Sequence, residues 1–316
     1  MLGLEALQAR MARVESLRSV VRTMKAMAMA NQRNVDQAQH AITATSATAE
    51  LALQAVLQLR RFCVDGVGPM PWLQPPKSDA ATLVVLFGSD HGLCGAFNEQ
   101  IAAYANQSLQ QLNPPAQQLH WLLVGSRLAP LMAAQGLESN ALVLAEPLAL
   151  PVSLAGVPRL IHQLMETIPT GLSSEPTTWQ TPPGRVVLVH HQPAAQVSYA
   201  PCLTQLVPLD PLWLAELEAR PWASPSRPAA SGPWEGLVAQ VVADHLAIAL
   251  HQAAVASLAS ENSARLMAMH AAEANIDERL ALLQQQYLQV RQGVITDELL
   301  DIVSGYEALR QHNGNR

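Results

Sequence analysis

The chain has 316 residues, of which 49% are hydrophobic and only 14% are charged. This length suits two ordinary domains or one domain with long extensions, and the composition excludes an intrinsically disordered chain. The net charge of −6, without any block rich in Lys or Arg, argues against a nucleic-acid-binding protein. Three distant cysteines (Cys63, Cys94 and Cys202) cannot form a zinc quartet or a CxxC pair. Their odd number, with no signal peptide, indicates a reducing compartment.

Residues 1–60 predict one long helix. They contain no proline and a single glycine, Gly3, and they are rich in residues that favour helix. Their apolar residues recur at steps of three and four, which is typical of a helix packed along a partner helix. These residues are Leu4, Leu7, Met11, Val14, Leu17, Val21, Met24 and Met27.

Residues 79–210 predict an α/β domain. Four apolar runs bounded by turn residues are typical of strands buried on both faces; they cover 81–88, 119–125, 141–145 and 185–190. Helical segments lie between them, at 96–112, 126–135 and 153–168. This alternation predicts a mostly parallel sheet flanked by helices.

The end of this domain and the segment after it are less regular. Residues 197–209 suggest a final pair of shorter strands. Residues 211–233 are rich in Pro, Ala and Ser, and they predict a surface connection.

Residues 234–312 return to helix, with no proline and an apolar face over nearly the whole stretch. An unbroken helix of this length would measure roughly 110 Å. Its only reasonable partner within the chain is the N-terminal helix. We therefore predict an α/β domain inserted between two helices that coil together. No membrane span is expected, because Asp244 and His245 interrupt the apolar stretch 237–250, which is shorter than the roughly 20 residues of a span.

The sharpest local signal is the stretch 88–98 (GSDHGLCGAFN), which follows a predicted strand and opens a predicted helix. Phosphates bind at this place in nucleotide folds. However, the glycine spacing matches neither GxGxxG nor the P-loop pattern, and no lysine follows. We favour a structural loop in which Gly88, Gly92, Cys94 and Gly95 allow a tight crossover and close packing. Anion binding and contact with a partner stay open as alternatives.

No catalytic, cofactor-binding or metal-binding residue is expected. Cys94 lies close to His91, but His91 precedes it by only three residues on a turn, and nothing marks an oxyanion hole. His190 and His191 are adjacent on a predicted strand, so they point to opposite faces and would not chelate one metal together.

A second signal is polar and lies near the end of the C-terminal helix. Arg291, Gln292, Thr296 and Glu298 are hydrogen-bonding residues within an otherwise apolar helix. They fit a solvated outer face or a contact surface for another protein, and the residue types alone do not separate the two.

Four stretches together resemble the gamma subunit of F-type ATP synthases, in order and over nearly the whole chain. They are TMKAMAM (23–29), SDHGLCGAFN (89–98), LASENSARLMAM (258–269) and VRQGVITDEL (290–299). The resemblance implies a Rossmann-like α/β domain inserted between long terminal helices that form an antiparallel coiled coil.

The resemblance also implies a function, that of a rotor without an active site, cofactor or metal. The coiled coil would turn inside a ring of alpha and beta subunits, while the α/β domain would lie near the epsilon subunit and the ring of c subunits. Contacts with beta would come from Lys25, Met27, Arg291, Gln292, Thr296 and Glu298. The complex would couple ion flow to ATP synthesis or hydrolysis, peripheral on the cytoplasmic face of a bacterial inner membrane. Nucleic acid is not among the implied partners.

Several positions depart from the family pattern. His91 stands where members usually have arginine, and Ala28 where they usually have glutamate. These differences indicate a divergent branch, similar to the alternative F-type ATPases of some bacteria.

A competing hypothesis is a nucleotide-binding α/β enzyme with helical arms for oligomerisation, and a helical scaffold without a motor role lies between the two. Long proline-free terminal helices favour the rotor, because an enzyme does not require them.

Overall fold

The computed structural model describes most of the chain, namely residues 2–60, 80–112, 119–135, 144, 146–151, 153–168, 183–194, 198–222, 224–226 and 234–313. Its contacts divide the chain into two compact units. The first unit comprises Met1–Ala28 and Leu266–Arg316, and the second unit comprises Met29–Arg265. Both boundaries between the units fall within long helices, whereas we predicted domain boundaries at the helix ends.

Two long helices begin and end the described chain. Helix α1 spans Leu2–Arg60 and helix α6 spans Trp234–Asn313, and neither is interrupted. Neither helix contains a proline, the residue that would remove a backbone donor and break the helix.

In the first unit the two helices pair antiparallel with a constant register. Four side-chain contacts join Gln8 to Tyr287, Arg18 to Asp277, Arg22 to Glu273, and Lys25 to His270. In each pair the two residue numbers add up to 295, so as one number rises the other falls by the same amount. The helices of the first unit therefore run in opposite directions without a slip in register.

The seam of this helix pair follows a strict heptad spacing. The less exposed residues of α1 alternate at steps of three and four, and so do those of α6. On α1 they include Leu4, Leu7, Met11, Val14, Arg18, Val21, Lys25 and Ala28, and on α6 they include Leu266, Met269, Glu273, Ile276, Leu280, Leu283 and Tyr287.

Two residues that we placed in this seam lie outside it. Leu17 is 57% exposed and Met27 is 59% exposed. Arg18 and Ala28 occupy the seam positions instead. The heptad spacing determines which residues face the partner helix, whatever the size or polarity of their side chains.

Within the described residues, the second unit is built around a sheet of four strands. Its strands are β1 (Thr82–Phe87), β2 (Leu119–Val124), β3 (Arg185–Ala194) and β4 (Ser198–Val207). They lie in the order β2-β1-β3-β4, with β1 parallel to β2 and to β3 and with β4 antiparallel to β3. The helices of this unit between α1 and α6 are α2 (Phe97–Leu112), α3 (Leu128–Ala134), α4 (Val157–Thr167) and α5 (Pro211–Ala219).

The sheet separates two apolar cores, because successive side chains of a strand point to opposite faces. Val85 and Phe87 of β1 join a core with residues of α1, α4, α5 and α6. Val84 and Leu86 join a second core with residues of α2 and α3. The predicted fold class, an α/β sheet domain with long terminal helices that pack together, is confirmed.

The structure differs from two local predictions, and a third falls largely outside the described residues. The expected pair of short strands over 197–209 is a single strand, β4, because its whole length pairs with β3. The expected surface connection 211–233 begins with helix α5, which Asp210 caps and which buries Leu214 and Leu217. The predicted strand 141–145 lies outside the described residues apart from Leu144.

By length and composition alone, one helical stretch, Gly236–Ser304, contains an 18-residue window apolar enough to cross a membrane. Half of that window is buried inside the protein. Core helices of water-soluble proteins pass the same test, so this stretch is weak support for a membrane span.

Removal of the Leu53 side chain tests the contribution of α1 to the second unit. Leu53 is fully buried in the core with α4 and α6. We expect Leu53→Ala to lower the free energy of unfolding by about 2–5 kcal/mol, because the truncation leaves a cavity. Leu51→Ala is the matched control on the same helix, since Leu51 is 48% exposed, and urea unfolding monitored by circular dichroism compares the two. Equal losses would contradict the described burial of α1.

Candidate functional site

The loop between β1 and α2 is closed by side-chain hydrogen bonds. The Ser89 backbone N–H donates to Asn98 Oδ1 at 2.9 Å, and Asn98 Nδ2 donates to Ser89 Oγ at 2.8 Å. The Gly88 N–H donates to the Val124 carbonyl of β2 at 2.8 Å. Backbone N–H groups at the end of β1 that could hold a phosphate are therefore already paired within the protein.

The loop glycines have distinct environments. A Cβ on Gly88 would lie 2.4 Å from Leu128 Cγ and 2.8 Å from Asn98 Oδ1, so no side chain fits there without movement. Gly95 has a φ of +61°, a conformation that favours glycine. Gly92 has more room, with its nearest neighbour, Arg127 Nη2, at 3.6 Å.

One further glycine of this site, Gly125, was not predicted from the sequence. Gly125, at the end of β2, has a φ of +106°, and a Cβ there would lie 2.7 Å from the Ser89 backbone nitrogen. A single glycine after an apolar strand is too common a signal to identify it from sequence.

Cys94 belongs to the packing of this loop. Its thiol is buried and lies 3.5 Å from Ser89 Oγ, and with Phe97 it packs against Ala264 of α6. Burial raises the pKa of the Cys94 thiol above its ordinary value. A thiol nucleophile requires the thiolate form, which this environment disfavours.

The same contact brings together two of the quoted motifs, SDHGLCGAFN and LASENSARLMAM, within the second unit. On that turn of α6, Glu261 is buried and pairs with Arg265 four residues later. Burial is the main cause that raises the pKa of the Glu261 carboxyl, and the Arg265 guanidinium opposes it. This pair was not predicted, although the i, i+4 spacing of opposite charges is a signal for it in the sequence.

The two adjacent histidines of β3 point to opposite faces. His191 stacks near Phe97, and its Nε2 donates to the Phe97 carbonyl at 3.0 Å. His190 lies on the other face, near Phe87. Burial lowers the pKa of His190, and it lowers that of His191 to about 4. Among the described residues, no group of three or more His, Cys, Asp or Glu side chains could hold a metal ion.

In the first unit, the polar residues near the end of α6 are exposed. Arg291, Gln292, Thr296 and Glu298 all lie on its accessible surface. Thr296 Oγ1 donates to the Gln292 carbonyl one turn earlier, at 2.9 Å. Large apolar side chains before, between and beyond them are also exposed, namely Val290, Ile295, Leu299, Leu300, Ile302 and Val303. Long exposed apolar surface of this kind marks sites of protein interaction.

The two predicted contact residues of α1 differ in how accessible they are to another subunit. Met27 is 59% exposed, as a contact residue requires. Lys25 is bound within the helix pair, with its Nζ 2.9 Å from Glu273 Oε2 and 3.1 Å from His270 Nδ1. Hydrogen bonds from Arg22 and then Lys25 lower the pKa of the Glu273 carboxyl to about 2, so this carboxylate stays charged at neutral pH.

A methyl group at two loop positions tests the described packing. We expect Gly88→Ala to destabilise the protein by about 1–3 kcal/mol, because the new Cβ overlaps Leu128 and displaces Asn98. Gly92→Ala in the same loop is the control and should change stability by no more than about 0.5 kcal/mol. Chemical unfolding of both variants checks this, and a neutral Gly88→Ala would refute the packing described here.

The chain is similar to known proteins over nearly its whole length. A model of the family described as ATP synthase matches residues 3–309. The ATP synthase gamma chain of Anaeromyxobacter sp. (strain Fw109-5) is 29% identical over 306 residues, which cover 94% of this chain and 97% of that protein. The ATP synthase gamma chain of Granulibacter bethesdensis is also 29% identical, and the match covers 98% of this chain and all of that one.

Solved structures with this fold include two from the mitochondrial ATP synthase of Euglena gracilis. A chain of its OSCP/F1/c-ring structure, in rotational state 3, has a TM-score of 0.61 at 16% identity and is matched over 96% of its length by 99% of this chain. A chain of its rotor structure has a TM-score of 0.58 at 16% identity, with coverage of 93% of this chain and 99% of that chain.

Proposed function

Because the chain belongs to the ATP synthase family, we propose that it works as the gamma subunit of an F-type ATP synthase. In this role it is the non-catalytic central stalk, and it couples ion flow to ATP synthesis or hydrolysis by rotation. The catalytic sites belong to the beta subunits of the surrounding ring.

The observation that carries this proposal is the antiparallel helix pair of the first unit. Two helices from opposite ends of the chain pair in a constant register, and one of them presents exposed apolar and polar side chains beyond residue 290. Such a pair has different surfaces on different sides. A rotor needs this asymmetry, because each position of the rotor must impose a different conformation on chemically identical neighbours.

We place the contact with beta subunits on the exposed end of α6. Arg291, Gln292, Thr296 and Glu298 supply hydrogen-bonding groups, and Met27 supplies an exposed apolar side chain on α1. Lys25 stays in this proposed set only because the family resemblance implies it, since it lies in the seam, where Glu273 and His270 hold its ammonium group.

The remaining partners follow from the family. The alpha and beta subunits would surround the helix pair, and the second unit would meet the epsilon subunit and the c-subunit ring. The gamma-chain relatives quoted above are bacterial proteins. We therefore propose that this chain is bacterial and lies on the cytoplasmic face of the inner membrane, held there by its complex and not by a span of its own.

Substitution of two polar residues tests the contact set. We expect Arg291→Leu with Gln292→Leu to impair assembly or to reduce coupled ATPase activity at least several-fold, because hydrogen bonds to charged groups at a desolvated interface are lost. The fold should persist, since both side chains are exposed.

The readouts are subunit co-purification, ATP-driven ion pumping in membrane vesicles and the circular dichroism of the isolated chain. Gln285→Leu with Gln286→Leu is the matched control, because these residues are exposed on the same helix and lie outside the proposed set. Normal assembly and normal pumping in the Arg291/Gln292 variant would remove these residues from the contact surface.

A further inference from the structure

The helix pair of the first unit contains a carboxylate in its seam. Glu273 occupies a heptad position of α6, and its side chain is only 18% exposed. Both of its oxygens bind α1, since Oε1 accepts from Arg22 Nε at 2.8 Å and Oε2 accepts from Lys25 Nζ at 2.9 Å. The two donors are three residues apart, so α1 holds this carboxylate at two separate points.

Further charges extend this arrangement along the seam. Lys25 is itself a seam residue, with a side chain 22% exposed, and its Nζ also lies 3.1 Å from His270 Nδ1. Two turns earlier on α1, the seam residue Arg18 places its Nε 2.8 Å from a carboxylate oxygen of Asp277. Three basic residues of α1 thus face two acidic residues of α6.

The charge balance of the two segments supports this pairing. Residues 2–28 carry five basic and two acidic side chains, whereas residues 266–313 carry seven acidic and three basic ones. Opposite net charges attract the segments to each other and disfavour the association of either segment with its own kind.

The apolar seam of this unit is buried less completely on the α1 side than on the α6 side, where Met269, Leu280 and Leu283 are buried. Among the described side chains of residues 3–28, Ala28 is the only one that is fully buried, and the other seam residues are half-buried. Hydrophobic contact is also non-directional. An apolar seam that is only half-buried on the α1 side therefore permits some rolling of α1 about its own axis.

We propose that the two-point grip of Arg22 and Lys25 on Glu273 fixes the rotational setting of α1 about its own axis against α6. A single ion pair can persist through a small roll of the helix, because its long side chains adjust to the new position. Two donors that bind separate oxygens resist the roll, because a movement that shortens one donor–oxygen distance lengthens the other. The grip thereby determines which α1 side chains face outward, Met27 among them. This inference concerns the chain itself and does not depend on the proposed function.

The test measures the distance between two spin labels on the full chain. The labels go on Leu17→Cys and Leu282→Cys, which are 57% and 54% exposed on α1 and α6, in a background where Cys63, Cys94 and Cys202 are replaced by alanine. Pulsed electron paramagnetic resonance then gives the width of the distance distribution. The grip is removed by Lys25→Leu with Glu273→Leu, which makes this layer of the seam apolar.

We expect the distribution to widen about twofold in this variant, while the midpoint of urea unfolding stays unchanged or rises, since apolar replacement of a buried ion pair is often neutral or stabilising. Arg13→Leu with Glu278→Leu is the matched control. It removes one charge of each sign from exposed positions of the same helices and should leave the width unchanged.

Two more variants separate the grip from a general effect on packing. Glu273→Gln preserves the seam volume and should also widen the distribution. Reversal of the charges by Arg22→Glu, Lys25→Glu and Glu273→Arg should narrow it again, because the separate nitrogens of a guanidinium can bind the two carboxylates at two points. A distribution as narrow as that of the native chain in both the leucine and the glutamine variants would overturn the proposal, and so would a widening that charge reversal does not correct.

Discussion

The structure depends on the pairing of two helices that lie at opposite ends of the sequence. Neither α1 nor α6 can bury its apolar face by itself, because a single helix in water leaves that face exposed. In the second unit both helices contribute to the core on one side of the sheet, and in the first unit they face each other in heptad register. The strands and short helices between α1 and α6 build a domain around the part of that pairing that lies in the second unit.

Most of the fold could be predicted because its signals are regular. The absence of proline over 1–60 and 234–312 predicted both long helices, and the apolar runs predicted the buried strands of a mostly parallel sheet. The single strand β4 and helix α5 were missed for a physical reason. The pairing of β4 with β3 and the burial of Leu214 and Leu217 are long-range contacts, and these override local propensity in a segment rich in proline.

The candidate site was less predictable, because individual side chains depend on geometry that periodicity does not supply. Met27 was expected in the seam because it continues the apolar spacing of threes and fours, yet Ala28 occupies the seam position and Met27 is exposed. Lys25 was taken from the resemblance as a contact residue, and only the structure shows that Glu273 binds it. The role of Glu273 could not be predicted, because its partners are about 250 positions away in the sequence. Whether the residues near the end of α6 contact beta subunits stays a prediction.

As the rotor of its complex, this chain should turn within a ring of alpha and beta subunits. The most direct measurement is single-molecule rotation of the reconstituted complex, with the ring fixed to a surface and a bead attached through a cysteine introduced at Gln110, an exposed residue of the second unit. We expect ATP to drive rotation of the bead in one direction. ATP hydrolysis by the assembled complex with a stationary bead, or failure of the chain to assemble with the ring, would contradict it.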